Sequence, residues 1–220
     1  MTETETGNAG KSPGKTILSL IAGGVIGFAA IMLVDVVLGE SFVRSLGGSR
    51  LALGGIGIVW LLIAVICALG LLMPNAGARV LNVADADELR ERRRVLTLSA
   101  AITGGYGVML MILAVAAGPQ FPTGVIAPGV AMAVLLLVMA GSTWASWHYR
   151  KLYDELDRQL AMESASWAFL LGWVAMTIWA AADFLGFGLR LTPIDVVSAF
   201  PVLMLLGAFA AIGRRGMMTR

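Results

Sequence analysis

The chain has 220 residues, 58% of them hydrophobic and 14% charged, with a mean hydropathy of +0.85. A soluble domain carries about 25% charged residues, so this composition excludes a soluble enzyme, a disordered protein and a disulfide-stapled secreted domain. The formal net charge is +2, and the basic residues flank apolar runs rather than forming one patch among aromatics; nucleic acid is therefore not an expected partner. What remains is an all-α polytopic membrane protein, with the lipid bilayer as its principal partner.

Residues 1–15, MTETETGNAGKSPGK, are polar and rich in Gly, Ser, Thr and Pro, and read as a disordered tail. Six apolar runs follow, over about Ile17–Leu38, Leu51–Met73, Val95–Ala117, Val125–Trp147, Ala165–Gly186 and Pro193–Ile212. Each is long enough to cross a hydrocarbon layer of about 30 Å as a helix. The runs are continuous rather than alternating, and backbone amides in lipid must be satisfied within the segment, so helices are expected and a barrel is not. The expected layout is a transmembrane domain over 16–213 and a short tail over 214–220.

The basic residues predict the orientation. Lys11, Lys15, Arg79, Arg90, Arg92, Arg93, Arg94, Arg150, Lys151, Arg158, Arg214, Arg215 and Arg220 fall on one side of these six spans; only Arg44, Arg50 and Arg190 fall on the other. By the positive-inside rule both termini are expected in the cytoplasm. The apolar run from Ile17 is too long for a signal-peptide core, and no A-x-A cleavage site ends it.

Two segments on the basic side are alike. DELRERRRVLTLSAAITGGYGVML starts at Asp87 and DELDRQLAMESASWAFLLGWVAMT starts at Asp154. In register they share Asp-Glu-Leu, then pair Ser99 with Ser166, Ala101 with Ala168, Gly105 with Gly172 and Met109 with Met176. This reads as a duplicated two-helix hairpin, about 51–117 and 118–186, in parallel orientation. Both segments also read as helix extensions below the membrane. Glu88 with Arg92, Asp87 with Arg90, Glu91 with Arg94 and Asp154 with Arg158 have the spacing and polarity of stabilising helix pairs. Arg92, Arg93, Arg94, Asp154, Glu155 and Arg158 are candidates for a cytoplasmic docking surface; a solvated helix stub that sets topology is the simpler expectation.

The second segment resembles a juxtamembrane pattern, D-E-x-x-R-x-x-x-x-E-x-x-A-x-A-F, of small, uncharacterised bacterial multipass membrane proteins. The matching residues are Asp154, Glu155, Arg158, Glu163, Ala168 and Phe169; Ser166 fills one small-residue position, and the first segment has Leu96 where Glu163 would stand. The resemblance spans sixteen residues. It implies a bacterial inner-membrane protein and no particular activity.

Charges at a span centre cost about 2.5–3.5 kcal/mol on insertion scales, and none falls there. Asp35, Asp183 and Asp195 lie at outer span ends, near Glu40, Arg44, Arg50 and Arg190. Asp35, Asp183 and Arg190 are candidates for an acidic outer vestibule of a small ion- or proton-coupled transporter or channel. Thr192-Pro193-Ile194-Asp195 instead reads as a helix start, with an N-cap, Pro at the first position and an acid at the third. Pro201 is expected to kink its span. Gly23, Gly27, Gly54, Gly57, Gly104, Gly105, Gly107 and Gly207 predict close helix packing. Trp144, Trp147, His148, Tyr149 and Trp167 predict an inner aromatic belt, while Trp60, Trp173 and Trp179 are expected in packing.

Cys67 and His148 are the sole residues of their kinds, which precludes an intrachain disulfide and Cys-based metal binding. No nucleotide-binding, zinc-protease or nucleophile-elbow motif occurs in the sequence. No catalytic, cofactor or metal site is expected. The leading expectation is a non-enzymatic membrane subunit or scaffold, packed against itself or another membrane complex; the vestibule transporter is the alternative.

Overall fold

The computed structural model describes residues 39–73, 86–119, 121–188 and 192–215. The expected first span, Ile17–Leu38, the polar tail, Asp35 and Arg190 lie outside the described residues. The described chain is an all-α bundle. A short helix α1 (Glu40–Ser45) precedes α2 (Gly47–Leu72); α3 (Ala86–Glu91) leads into α4 (Arg93–Val115); then come α5 (Pro128–His148), α6 (Glu155–Phe184) and α7 (Pro193–Arg214). Five of these, α2, α4, α5, α6 and α7, are long and apolar enough to cross a membrane, which makes the chain a multipass membrane protein.

Helix ends follow local chemistry. Gly47, at φ +72, separates α1 from α2 and starts the span four residues earlier than its apolar run. Pro128 occupies the first turn of α5, later than the expected Val125, because the residues before it pair with the end of α4. There Ala117 N–H donates to Ile126 O at 2.8 Å, and Val125 N–H to Val115 O at 3.0 Å. The 30 residues of α6 make a rod of about 45 Å, longer than a hydrocarbon core. Its first turns therefore form the expected extension, continuous with the span. The other extension is broken at Arg92, between α3 and α4.

Packing is uneven. α2 lies along α4, α7 joins α2, α6 lies along α7, and α5 leans on α4. The α2–α4 crossing is nearly backbone on backbone at Gly57 and Gly107. A Cβ on Gly107 would sit 2.7 Å from Leu61 Cγ and 2.9 Å from the Gly57 carbonyl oxygen. Gly207 lets α7 approach α6 in the same way, its missing Cβ facing the backbone of Ser164 and Ala168. In lipid, close approach and dispersion replace the hydrophobic drive between helices. The core follows from these contacts: Leu53, Met109, Leu110 and Ala114 are buried, with Trp60, Tyr106, Val134, Val138 and Ile194 against them.

The pairing departs from the duplicated hairpin in one respect. Its first unit, α2 with α4, is tightly packed. In the second, α5 packs on α4 and α6 on α7, so α5 and α6 do not form a matching packed hairpin.

Candidate functional site

At the end of the bundle that holds the N-terminus of α2, Arg50 turns inward. Its Nη1 donates to the carbonyl oxygens of Ala114 at 3.0 Å and Ala116 at 2.8 Å, and its guanidinium lies 4.7 Å from the Phe121 ring centroid. These are carbonyls that the end of α4 leaves without helical partners, and a cation there also complements the helix dipole. Arg50 is thus a partly buried cap that ties α2 to the α4–α5 connection. Its sequence position marks it only as an outer charge; the usable signal is an arginine at a span start level with the end of the neighbouring span.

Asp195 stands beside it in the chain's economy of charge. Its carboxylate accepts from Thr192 N–H at 3.0 Å and from the Thr192 hydroxyl at 2.6 Å. The helix start read from Thr192-Pro193-Ile194-Asp195 is formed, with both halves of a capping box. Asp183, in the last turn of α6, is exposed. With Asp35 and Arg190 outside the described residues, Asp183 is the one vestibule candidate placed by the structure.

The opposite end carries the charged extensions. Arg92 pairs with Asp157 and lies 3.7 Å from Asp154. The hydrogen bond to Asp157 holds the Arg92 proton more tightly than usual, against the opposing effect of partial burial. Asp154 does not pair side chain to side chain with Arg158 as its spacing suggested: it caps α6, accepting from Asp157 N–H at 2.6 Å. Asp87 does pair with Arg90, at 2.7 Å. Glu155 accepts from Gln159 at 3.3 Å, and Arg158 is exposed. Glu163 receives Arg215 Nε at 2.9 Å, with Arg214 at 3.9 Å. So the candidate docking residues divide into Arg92 and Asp154, engaged across the two similar segments, Glu155, bonded within α6, and Arg93, Arg94 and Arg158, which are exposed.

The aromatic belt is built at this end. Trp144 stacks on His148 with centroids 5.1 Å apart, His148 meets Tyr149 edge-on at 5.0 Å, and Arg150 covers Trp147 at 4.2 Å. Trp144 and Trp147 are 62% and 70% exposed, as residues at a lipid interface would be. Arg214 lies 5.5 Å over Trp167. Trp60 packs on Tyr106, but Trp173 is 64% exposed and not a packing residue.

Between α2, α4, α5 and α7 lies a cavity of about 430 Å³. Trp60, Tyr106, Leu135, Met139, Phe200 and Pro201 are among its walls, and no ionisable carboxylate, amine or guanidinium lines it. Tyr106 and Ser142 hydroxyls meet at 3.2 Å beside it, linking α4 to α5. Pro201, inside α7, leaves the Val197 carbonyl without its usual helical donor. Met139, Phe200 and Met204 are exposed at the cavity's rim, so it opens sideways, between α5 and α7. Among the described residues no group of His, Cys, Asp and Glu could hold a metal ion.

No family model, curated protein or solved structure matches the chain.

Proposed function

We propose that the chain is a non-enzymatic subunit or scaffold of a bacterial inner membrane, with both termini cytoplasmic. Its working surface is lateral, the side of the bundle between α5 and α7. The observation that carries this reading is the sideways-open apolar cavity of about 430 Å³. A path for ions needs polar groups along it, whereas this cleft offers aromatic, Met and Leu side chains suited to a partner's apolar helix. The described charges support the same reading. They stand at span ends, and Arg50, Asp195, Arg92 and Glu163 are engaged within the chain. The compartment and orientation rest on the juxtamembrane resemblance and on the thirteen basic residues expected on one side of the spans.

The test is photo-crosslinking from positions 139 and 200 in intact membranes. The expected product is a discrete adduct with another membrane polypeptide or with a second copy of the chain. Adducts with lipid alone, together with a proton flux in liposomes that Asp183→Asn abolishes, would replace this reading with the transporter. A periplasm-active reporter fused at the C-terminus should stay silent.

A further inference from the structure

A second cavity, of about 590 Å³, lies at the basic end of the bundle, where the start of α4 faces the turn after α5. Arg93, Arg94, Thr97, Leu98 and Ala101 line it from α4, and Tyr149 and Leu152 from the turn. Its chemistry is graded. Arg93 and Arg94 are exposed and, unlike Arg90 and Arg92, have no carboxylate partner among the described residues. One helical turn further into the span, Thr97 adds a hydroxyl, and Leu98 and Ala101 give an apolar wall that continues along α4. Tyr149 adds a phenol, and the same turn carries Arg150 and Lys151, both exposed.

We propose that this cavity binds the phosphate headgroup of an anionic phospholipid. Arg93 and Arg94 grip the phosphodiester, whose paired oxygens match the guanidinium fork. The Thr97 and Tyr149 hydroxyls donate to the oxygens left over, and Leu98, Ala101 and Leu152 take the glycerol and the first acyl carbons. Depth selects a lipid over a soluble anion. The exposed rings of Trp144 and Trp147 mark the membrane boundary at this end, and a free anion would gain nothing from the apolar floor. Two cations without a carboxylate partner among the described residues select a lipid with net negative charge over a zwitterion, as expected of basic pockets between spans on the cytoplasmic face.

The experiment uses the full chain in a neutral detergent, titrated with phosphatidylglycerol, phosphatidylcholine or inorganic phosphate, with bound lipid counted by native mass spectrometry. Phosphatidylglycerol should be retained in preference to phosphatidylcholine. The R93Q/R94Q variant should bind it about 30-fold more weakly, the loss that two surface cations near a membrane phosphate predict. The R90Q/R158Q variant removes the same charge at the same end outside the cavity and should bind within about 3-fold of the parent. Should R93Q/R94Q fail to fold, R93K/R94K keeps the charge but loses the fork, and should still bind several-fold more weakly. Equal losses in the two Gln variants, unchanged binding by R93K/R94K, or no preference for phosphatidylglycerol would each overturn the proposal. Inorganic phosphate binding as tightly as the lipid would show a site for free anions and overturn it too.

Discussion

The α2–α4 crossing makes a quantitative prediction. Adding one methyl at Gly107 places it 2.7 Å from Leu61 Cγ and 2.9 Å from both the Gly57 carbonyl oxygen and the Leu61 nitrogen. Two of those three neighbours are backbone and cannot swing aside, so the helices must separate along the tightest stretch of the core. Overpacking of this kind costs about 1–3 kcal/mol. Gly→Ala also gains about 1 kcal/mol of helix propensity, which would mask part of the loss. Gly55 provides the correction: it is on the same helix pair, and a Cβ there meets nothing within 4 Å. Gly55→Ala carries the propensity gain alone, so the difference between Gly107→Ala and Gly55→Ala isolates the steric cost. That difference should be about 1–3 kcal/mol, or roughly 5- to 150-fold in the folding equilibrium. Gly104→Ala, whose Cβ would rest 3.4 Å from Ala64 Cβ, should behave like Gly55→Ala. The assay is unfolding by sodium dodecyl sulfate in mixed micelles, followed by helical circular dichroism. If Gly107→Ala and Gly55→Ala agree within about 0.5 kcal/mol, well under the overpacking range, backbone contact at Gly57 and Gly107 is not what holds the pair.

Other substitutions probe the ends of the bundle. Arg50→Met removes the two bonds to Ala114 and Ala116 and should destabilise by about 2–3 kcal/mol; limited proteolysis should then cut the 116–127 connection faster. Glu163→Gln loosens the hold on Arg214 and Arg215; the cost should stay below about 1 kcal/mol and vanish in high salt, read as a small, salt-dependent shift in melting temperature. Arg92→Gln should cost the same at pH 6.5 and pH 9: a raised arginine pKa gives a contribution fully present below the unfolded arginine's own pKa, far above this window, and lost only as pH rises through the still higher folded value. Tyr106→Phe breaks the bond to Ser142, worth about 1 kcal/mol, and should raise hydrogen exchange in α5 several-fold while leaving α2 unchanged.

Much of this molecule is legible in its sequence because the signals are local. The five described spans follow from uninterrupted apolar length, the Thr192–Asp195 box from its spacing, and the α6 extension from charges continuing a helix below its span. The Trp144–Tyr149 belt is likewise a run of neighbours. Which helices pair is not local. A lipid-facing side chain is as apolar as a packed one, so hydropathy gave no way to see that Trp173 lies open while Trp60 is covered. Glycine position did better, since Gly57 and Gly107 mark the crossing directly. Yet nothing in the sequence tells Gly207, under which α6 backbone passes, from Gly141, beside which there is open space. The engagement of Arg50 is hidden for a related reason: its partners are carbonyls 64 and 66 residues away, and backbone acceptors leave no mark in a sequence.

The charged residues at the basic end fall into two sets by geometry, and the division has a physical cause. A charge at the membrane boundary keeps part of its hydration, so an ion pair there contributes little unless it also fixes a distance the fold needs. Arg92 with Asp157 holds the start of α4 to the start of α6, and Glu163 with Arg215 holds α6 to the end of α7. In both, an arginine at a helix end reaches a carboxylate on α6, and the pairs set spacing that apolar contact in lipid does not specify. Arg93 and Arg94 make no such pair among the described residues. Beside an apolar cavity they serve the fold poorly as they stand, since two like charges close in sequence repel. A bound anion changes that sign, turning the repulsion into a shared attraction and giving α4 and the turn after α5 a common contact. The lipid site thus adds to the hold of α4 on α5, a lighter packing than that of α2 on α4 or α6 on α7. Occupancy there should therefore steady α5 more than any other span.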